Sequence, residues 1–173
     1  MPRPNRSWLP DGSFHVTARG VRREPIFRTA ADAQKLLRRV RDVRSLWDLS
    51  AYCLMPNHVH FVTTATVANL GRAIGHVNGP YAQWFNRKYG LSGHLFEDRY
   101  AAEPIADEAH LYRAIRYVLV NPVRAGLCKH PAEWPWSNYG DFEDDPYVMG
   151  LIEDALRSPQ GTVPDGDSPQ HPF

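Results

Sequence analysis

Residues 52–64 have the sequence YCLMPNHVHFVTT, in which two apolar segments flank the turn-forming pair Pro56-Asn57. Both segments have the length and the content of β-branched and aromatic residues that strands favour. We therefore predict an antiparallel hairpin with strands at 49–55 and 58–64. A two-residue turn makes the two strands direct neighbours in one sheet.

Two histidines lie one residue apart in the second strand of this hairpin. Because side chains alternate between the two faces of a strand, His58 and His60 share one face and Val59 and Phe61 share the other. Two imidazoles on one face can bind a single metal ion. Such pairs also occur on ordinary surfaces, so the residues by themselves leave both interpretations open.

The rest of the chain alternates between strand and helix patterns. The predicted elements are, in chain order, a strand at 13–20, a helix at 29–47, the hairpin, a helix at 67–89, a strand at 99–105 and a helix at 107–121. Thr29 and Asp107 are the predicted N-caps of the first and third helices. Gly79-Pro80 is expected to kink or interrupt the second helix, and Pro122 to end the third.

This order of elements predicts an α+β fold of the ferredoxin-like type. We expect an antiparallel sheet of about four to five strands, helices on one face and an added C-terminal helix that carries Tyr117. The second face of the sheet is expected to be open and to be available for a site. Residues 1–155 are predicted to form one domain. Residues 156–173, rich in Pro, Gly, Asp and Ser, are predicted to be a disordered tail.

Composition limits the class of protein. With 173 residues, of which 43% are hydrophobic and 23% charged, the chain is typical of one globular domain. It has no run of about 18 apolar residues, so no membrane span is predicted. The first residues lack the apolar segment of a signal peptide, and we therefore expect a cytoplasmic protein.

Charge is distributed unevenly along the chain. Residues 1–44 hold 11 Lys and Arg against 4 Asp and Glu, whereas residues 130–173 hold 1 against 9. The middle segment, 45–129, holds 8 against 6. A basic N-terminal segment indicates a polyanionic partner, although the same charges are also compatible with an ordinary solvated surface.

The third predicted helix has a polar side besides its apolar one. At about 100° per residue, His110, Tyr117 and Asn121 line up on one side with Arg113 beside them, away from the apolar arc. A lone tyrosine at the edge of a helix usually has its hydroxyl in water. Tyr117 instead lies beside an amide and a guanidinium, on the helix that could cover the open face of the sheet.

Four segments of the chain together resemble a known family. They are FHVTARGVRREPIF (14–27), CLMPNHVHFV (53–62), GHLFEDRY (93–100) and YVLVNPVRAGL (117–127). In this order they are similar to the landmarks of HUH single-strand DNA transposases with one catalytic tyrosine. The arginine-rich first segment and the closing WPWSNY are most similar to the branch of REP-associated tyrosine transposases. The resemblance covers about residues 13–139.

The resemblance implies a function for the polar residues. It implies that His58 and His60 bind a metal ion, that Asn121 is the third ligand and that Tyr117 is the nucleophile. Insertion-sequence members often have glutamine where this chain has Asn121. Mixed nitrogen and oxygen ligands suit Mg²⁺ or Mn²⁺. The implied activity is metal-dependent cleavage and transfer of single-stranded or hairpin-associated DNA through a 5′-phosphotyrosine intermediate.

Basic and aromatic residues are candidates for DNA contacts. The basic candidates are Arg19, Arg22, Arg23, Arg87, Lys88, Arg99 and Arg113. Trp8, Trp84 and Phe96 are candidates for stacking on unpaired bases, although the helical spacing of Trp84 favours a place in the core. His15 and His94 are expected to be structural and are not included in the site.

Two other functions are also considered. One is a nucleic-acid-binding regulator with the same fold and no catalytic activity, and the other is a metal-dependent phosphoesterase of small molecules. The joint presence of both histidines, the tyrosine and the amide argues against the first, and the arginine clusters argue against the second. The sequence is compatible with a monomer or a homodimer.

Overall fold

The computed structural model describes residues 11–97 and 99–158 of the chain. Its strands are Gly12–Arg19 (β1), Asp48–Met55 (β2), His58–Ala65 (β3) and Ala101–Pro104 (β4). Its α-helices are Ala30–Asp42 (α1), Val67–Tyr89 (α2), Glu108–Arg124 (α3) and Pro146–Arg157 (α4). Trp8 and most of the predicted tail, 159–173, lie outside the described residues.

The four strands form one antiparallel sheet in the order β2-β3-β1-β4. The hairpin is confirmed: β2 and β3 are neighbours and Pro56 and Asn57 form the turn between them. β1 lies inside the sheet and pairs with β3 on one side and β4 on the other. This order, with one helix after β1 and another after β3, confirms the predicted α+β fold.

The first face of the sheet holds an apolar core beneath α1 and α2. Side chains that are 0% exposed include Phe14 and Val16 on β1 and Val59 and Phe61 on β3. Full burial of a side chain of this size stabilises the folded state by about 1.5–3 kcal/mol. The hydroxyl of Tyr81 on α2 donates to the carbonyl oxygen of Ile26 at 2.6 Å, so the one polar atom of this buried ring has a partner.

The second face is covered, which differs from the expected open face. The apolar side of α3 packs on β2 and β3, where Ile115, Val118 and Leu119 meet Cys53 and Val62. α4, which was not predicted, packs against α3 through its own buried side chains. The reason is physical: the outward side chains of β2 are themselves apolar, and leaving them in water costs free energy.

The segment after α3 is attached to the outer strand of the sheet. Asn138 accepts a hydrogen bond from the Tyr52 backbone N–H at 2.8 Å and donates one to the Ser50 carbonyl oxygen at 3.1 Å. The indole N–H of Trp134 donates to the carbonyl oxygen of Leu54 at 3.0 Å. Side chains of the WPWSNY motif therefore satisfy backbone groups that an edge strand leaves unpaired.

Both predicted N-caps are confirmed. The Thr29 hydroxyl accepts from the Asp32 backbone N–H, and the Asp107 carboxylate accepts from the His110 backbone N–H at 2.7 Å. These contacts satisfy donors that the first turn of a helix leaves free. α1 ends at Asp42 and not at residue 47, since residues 43–46 form a turn.

Neither proline interrupts its helix, which differs from the interruption considered at Gly79-Pro80 and from the end predicted at Pro122. α2 continues through Gly79 and Pro80 to Tyr89, and α3 continues through Pro122 to Arg124. Proline has a helical φ and removes only one backbone donor. A helix whose other turns pack against the rest of the protein can therefore continue through it. Pro122 lies in the last turn of α3, where the backbone N–H of Ala125 still donates to the Asn121 carbonyl oxygen at 2.9 Å.

Within the ranges that the structure describes, no helix has both the length and the apolar character needed to cross a bilayer.

Candidate active site

A polar cluster lies between α3 and the part of the second face formed by β1 and β3. His15, Thr17 and Arg19 alternate along β1, and His58 and His60 alternate along β3. In the sheet, Thr17 is the direct neighbour of His60, and Arg19 that of His58. Cross-strand neighbours share a face, so the cluster follows from strand alternation together with this register.

His60 is held at both nitrogens of its ring. Its Nδ1 lies 3.0 Å from His15 Nε2 and 3.2 Å from the Thr17 hydroxyl oxygen. Its Nε2 lies 2.9 Å from the Asn121 amide nitrogen on α3. The side chain is only 5% exposed. His60 therefore has a fixed orientation, with Nε2 directed towards α3.

His58 lies beside His60 and is less buried. The two ring centroids are 4.7 Å apart and the rings are nearly perpendicular. His58 Nδ1 lies 2.7 Å from the Asn57 side-chain oxygen, which can only accept, so this nitrogen carries the proton. The lone pair of His58 is consequently on Nε2.

Tyr117 completes the cluster from α3. Its ring centroid is 5.7 Å from that of His60 and 5.6 Å from that of His15. The side chain of Asn121, one turn further along the helix, contacts His60 and is close enough to the Tyr117 phenol to lower its pKa. Asn121 therefore connects the tyrosine to the histidines.

Arg124 is a neighbour of Tyr117 that the sequence analysis missed. Its guanidinium carbon lies 5.9 Å from the centroid of the Tyr117 ring. Burial raises the pKa of Tyr117, and Arg124 and Asn121 partly oppose this effect. The spacing of seven residues, two turns of α3, is a signal that could have identified Arg124.

All three clustered histidines are expected to be neutral at physiological pH. Burial lowers the pKa of His58 to about 4, with a smaller contribution from the charge of Arg19. Burial also lowers the pKa of His15 to about 4, assisted by His110. For His60, burial followed by the neighbouring histidines places the pKa well below its ordinary value. Neutral imidazoles have a lone pair and can bind a metal ion.

His15 was expected to be structural and outside the site, but it contacts both His60 and Tyr117. Its position on the same side of β1 as Thr17 follows from alternation. The contact with His60 depends on the register of β1 against β3, which the sequence does not specify. His94, by contrast, is exposed in the loop after α2 and has no contact with this cluster.

Three of the candidate DNA contacts lie at or next to the cluster. Arg19 is at the end of β1, and Arg22 and Arg23 follow in an exposed turn with φ angles of 52° and 59°. Non-glycine residues seldom adopt such angles. The turn is tight, because a Cβ atom on Gly20 would lie 2.3 Å from the Glu24 carbonyl oxygen. The Asn57 amide donates to the Arg23 carbonyl oxygen at 3.1 Å and joins this turn to the His58 strand.

The other basic candidates lie in different places. Arg113 is on α3, one turn before Tyr117, and Arg99 is exposed just before β4. Arg87 and Lys88 are on α2, which packs on the opposite face of the sheet from the histidines. Lys88 forms an ion pair with the buried carboxylate of Asp32, so the structure gives it a role in joining α1 to α2.

The two aromatic candidates within the described residues, Trp84 and Phe96, lie outside the cluster. Trp84 packs against the apolar core of the first face, as its helical spacing predicted. Phe96 forms an isolated β-bridge with Gly20 and is partly buried against the same core. Within residues 11–97 and 99–158, no three or more His, Cys, Asp and Glu side chains come together in a way that could hold a metal ion.

The chain is similar to known transposases. Residues 10–120 match the family described as "Transposase IS200 like". The fold is similar to that of a REP-associated tyrosine transposase bound to a REP hairpin, with a TM-score of 0.62 and 19% identity over 87% of this chain and 88% of that chain. At this identity the likeness concerns the fold.

A second solved structure is less similar. It is described as a candidate transposase from Deinococcus radiodurans R1 and has a TM-score of 0.45 and 17% identity, over 62% of this chain and 88% of that chain. Among curated proteins, none matches the chain significantly.

Proposed function

Because the chain belongs to the IS200-like transposase family, we propose that it is a metal-dependent single-stranded DNA endonuclease and strand transferase. The observation that carries the proposal is the position of Tyr117 and Asn121, whose side chains both contact His60. A metal-binding group and a nucleophile are thus next to each other. The similar fold of a transposase bound to a REP hairpin supports hairpin-associated DNA as the substrate, and the REP-associated branch as the place of this chain in the family.

The donor atoms fit a divalent metal ion. His58 and His60 each have Nδ1 engaged by a neighbouring side chain, so Nε2 of His58 is left for a ligand, and Nε2 of His60 faces the Asn121 amide. A half-turn of the Asn121 amide exchanges its nitrogen and oxygen and would present the oxygen beside His60. Two imidazole nitrogens and one amide oxygen suit Mg²⁺ or Mn²⁺. When bound, the ion polarises the scissile phosphate and neutralises charge that develops on it.

Tyr117 is the proposed nucleophile. Its hydroxyl oxygen attacks the scissile phosphorus, and the bond between phosphorus and the 3′ oxygen breaks. The phenol gives up its proton, and one proton is taken up by the leaving 3′ oxygen, which becomes a free hydroxyl. The other fragment remains on Tyr117 as a 5′-phosphotyrosine. Burial raises the pKa of this phenol, and the charges of Arg124 and Arg19 oppose that rise, so they would stabilise negative charge on its oxygen during the attack.

A phenol suits a reaction that must be reversible. Its ordinary pKa is about 10, far below that of an aliphatic alcohol, so a phenoxide is a good leaving group. A 3′-hydroxyl of another DNA end can therefore displace Tyr117 from phosphorus and rejoin the strand. The covalent intermediate conserves the phosphodiester bond energy, which is what strand transfer requires.

Arginines beside the site are proposed to position the DNA. Arg19 lies next to His58, and the exposed Arg22 and Arg23 extend the same end of the sheet. Contacts with phosphates fix the position of a strand and depend on salt concentration. Arg87 and Lys88 are less suited to this role because they lie on the other face of the sheet.

The test is an assay for a covalent adduct. The protein is incubated with Mg²⁺ and single-stranded hairpin DNA taken from the sequence around its own gene, and the products are separated under denaturing conditions. We expect an adduct that a chelator prevents and that Tyr117→Phe does not form. Tyr112→Phe is the matched control, because the Tyr112 ring packs against Tyr147 of α4 with centroids 4.7 Å apart.

Two results would contradict the proposal. One is a wild type that binds DNA but neither forms an adduct nor cleaves the strand. This result would indicate a regulator without catalytic activity. The other is an adduct that persists in Tyr117→Phe, or cleavage that continues unchanged in excess chelator.

A further inference from the structure

His15 is a buried polar side chain without a role in the proposed reaction. It lies in the interior of β1 and is 7% exposed. Burial of a polar ring is unfavourable unless its nitrogens have partners. One partner is His60, whose Nδ1 lies 3.0 Å from His15 Nε2. An apolar residue at this position would avoid the cost of burial, so the contact itself requires an explanation.

The hydrogen bonds around His60 define which of its nitrogens carries the proton. The Asn121 amide nitrogen, 2.9 Å from His60 Nε2, can only donate. In this orientation of the amide, which is that of the protein without metal, Nε2 accepts, and the proton of the neutral ring is on Nδ1. His60 Nδ1–H then faces two acceptors, His15 Nε2 at 3.0 Å and the Thr17 hydroxyl at 3.2 Å.

We propose that His15 is a positioning residue: it accepts the hydrogen bond from His60 Nδ1–H and thereby keeps the lone pair of His60 on Nε2. The inference rests on the proposed metal role of His60. Outer partners of this kind fix the tautomer and orientation of metal-binding histidines, and their loss typically weakens metal binding about 10–100-fold.

The geometry favours His15 over Thr17 as the main acceptor. The contact with His15 is shorter, and the two rings lie edge to edge, with centroids 5.1 Å apart and an angle of 25° between their planes, as a hydrogen bond between ring nitrogens requires. A second ring at this edge restrains rotation of the His60 ring more than a hydroxyl does. His15 also touches the Tyr117 ring edge-on at 5.6 Å, so one side chain supports both the histidine and the tyrosine.

Three variants separate the hydrogen bond from simple packing. His15→Gln keeps an acceptor near the place of Nε2, because the Gln Oε1 atom is at a similar distance from the backbone. His15→Leu fills the space without an acceptor. Thr17→Val removes the weaker acceptor and preserves the shape of the side chain. Circular dichroism and thermal unfolding identify which variants are folded.

The first readout uses the wild type without metal or DNA. Nitrogen NMR of the histidine rings distinguishes a protonated from an unprotonated nitrogen, and we expect His60 to carry its proton on Nδ1. The second readout is the affinity for Mn²⁺ alone, measured by calorimetry. We expect affinity about 10–100-fold weaker for His15→Leu, recovery of most of it in His15→Gln, and a smaller loss for Thr17→Val.

Three results would overturn the inference. They are a proton on Nε2 of His60 in the wild type, an unchanged Mn²⁺ affinity in folded His15→Leu, and a loss in Thr17→Val larger than that in His15→Leu. A wild type that binds no Mn²⁺ would instead refute the metal site of the proposed function. The ring-nitrogen measurement, repeated on folded His15→Leu, would then still decide whether His15 sets the tautomer of His60.

Discussion

The two faces of the sheet differ in what fills the space between strands and helices. On the first face, Val59 and Phe61 are completely buried among apolar side chains of α1 and α2. On the second face, His58 and His60 alternate with them on the same strand and contact each other, β1 and Asn121 of α3. One strand of eight residues thus contributes both to the core and to the candidate site.

This difference shows how the chain can keep polar groups in its interior. The first face supplies hydrophobic stabilisation, which offsets the cost of burying histidines on the second. The second face is itself divided. Apolar side chains of α3 pack over β2 and β3, and the polar side of the same helix lies over β1. Packing of α3 on β2 therefore holds Tyr117 in place over the histidines.

The largest expected effect comes from removing His60. We expect His60→Ala to reduce Mn²⁺ binding and DNA cleavage to background, because the variant lacks the nitrogen placed beside Asn121. Loss of its hydrogen bonds should lower the free energy of unfolding by only about 1–3 kcal/mol. Calorimetry, a cleavage assay and urea unfolding measure the three quantities. Full cleavage by the folded variant would remove His60 from the site.

The neighbouring residue on the other face should behave in the opposite way. Phe61 is 0% exposed and lies 5.3 Å from Trp47, centroid to centroid. We expect Phe61→Ala to lower the free energy of unfolding by about 3–5 kcal/mol, measured by urea unfolding. Phe61→Leu, which leaves a smaller cavity, is the milder control. In either variant, weaker Mn²⁺ binding by the folded fraction would contradict the separation of the two faces.

A charged network on the first face gives a smaller, pH-dependent effect. Burial by itself would raise the pKa of Asp32, but hydrogen bonds from Lys88, Tyr89 and two backbone N–H groups lower it from 3.8 to about 2. Because the folded-state pKa is depressed, Asp32 stabilises the fold above about pH 4. A shift of this size corresponds to about 2 kcal/mol, which is lost as the pH falls from about 4 to about 2.

Urea unfolding between pH 2 and pH 6 tests this linkage. The Asp32→Asn variant should lose stability at neutral pH and should show a weaker dependence on pH in the same range. Asp42→Asn is the control, because its ion pair with Arg39 is 3.9 Å long and largely exposed, and such pairs contribute little. Equal pH dependence in the wild type and Asp32→Asn would refute the assignment.

The smallest effect concerns the exposed arginines beside the site. We expect the double change Arg22→Ala and Arg23→Ala to weaken binding of single-stranded DNA and to reduce its logarithmic salt dependence by up to about 1 per lost phosphate contact. Cleavage at saturating DNA should persist. The control is the double change Arg38→Ala and Arg41→Ala on α1, which removes the same charge from the opposite face. Equal losses in the two double variants would indicate only a general effect of charge.

Local patterns were sufficient to predict most of the fold. Strand alternation, the Pro56-Asn57 turn and the caps at Thr29 and Asp107 are short-range signals, and the structure contains each of them. The helices continue through the prolines at 80 and 122, because tertiary packing can outweigh the loss of one hydrogen bond and a local pattern does not contain that packing. The second face is covered by α3, and α4 packs on α3 in turn, and both contacts are tertiary and have no short-range signal in the sequence.

The candidate site was predictable in its parts and not in its contacts. The sequence places His58 with His60 and Tyr117 with Asn121, because each pair is on one element with a fixed period. The contacts of His15 depend on strand register and helix placement, which are tertiary properties. Lys88 illustrates a different case, since its charge predicts a DNA contact and the structure shows that the same charge pairs with Asp32.

The central claim is that Tyr117 forms the covalent bond to DNA, and tryptic mapping of the adduct tests it most directly. Trypsin cuts the chain after Arg116 and Arg124 and gives a peptide of residues 117–124 in which Tyr117 is the only tyrosine. Tyr112 is in a different tryptic peptide, 100–113. After nuclease digestion, mass spectrometry should find the 5′-phosphonucleotide on the peptide 117–124. A nucleotide on the peptide 100–113 would contradict the assignment of the nucleophile.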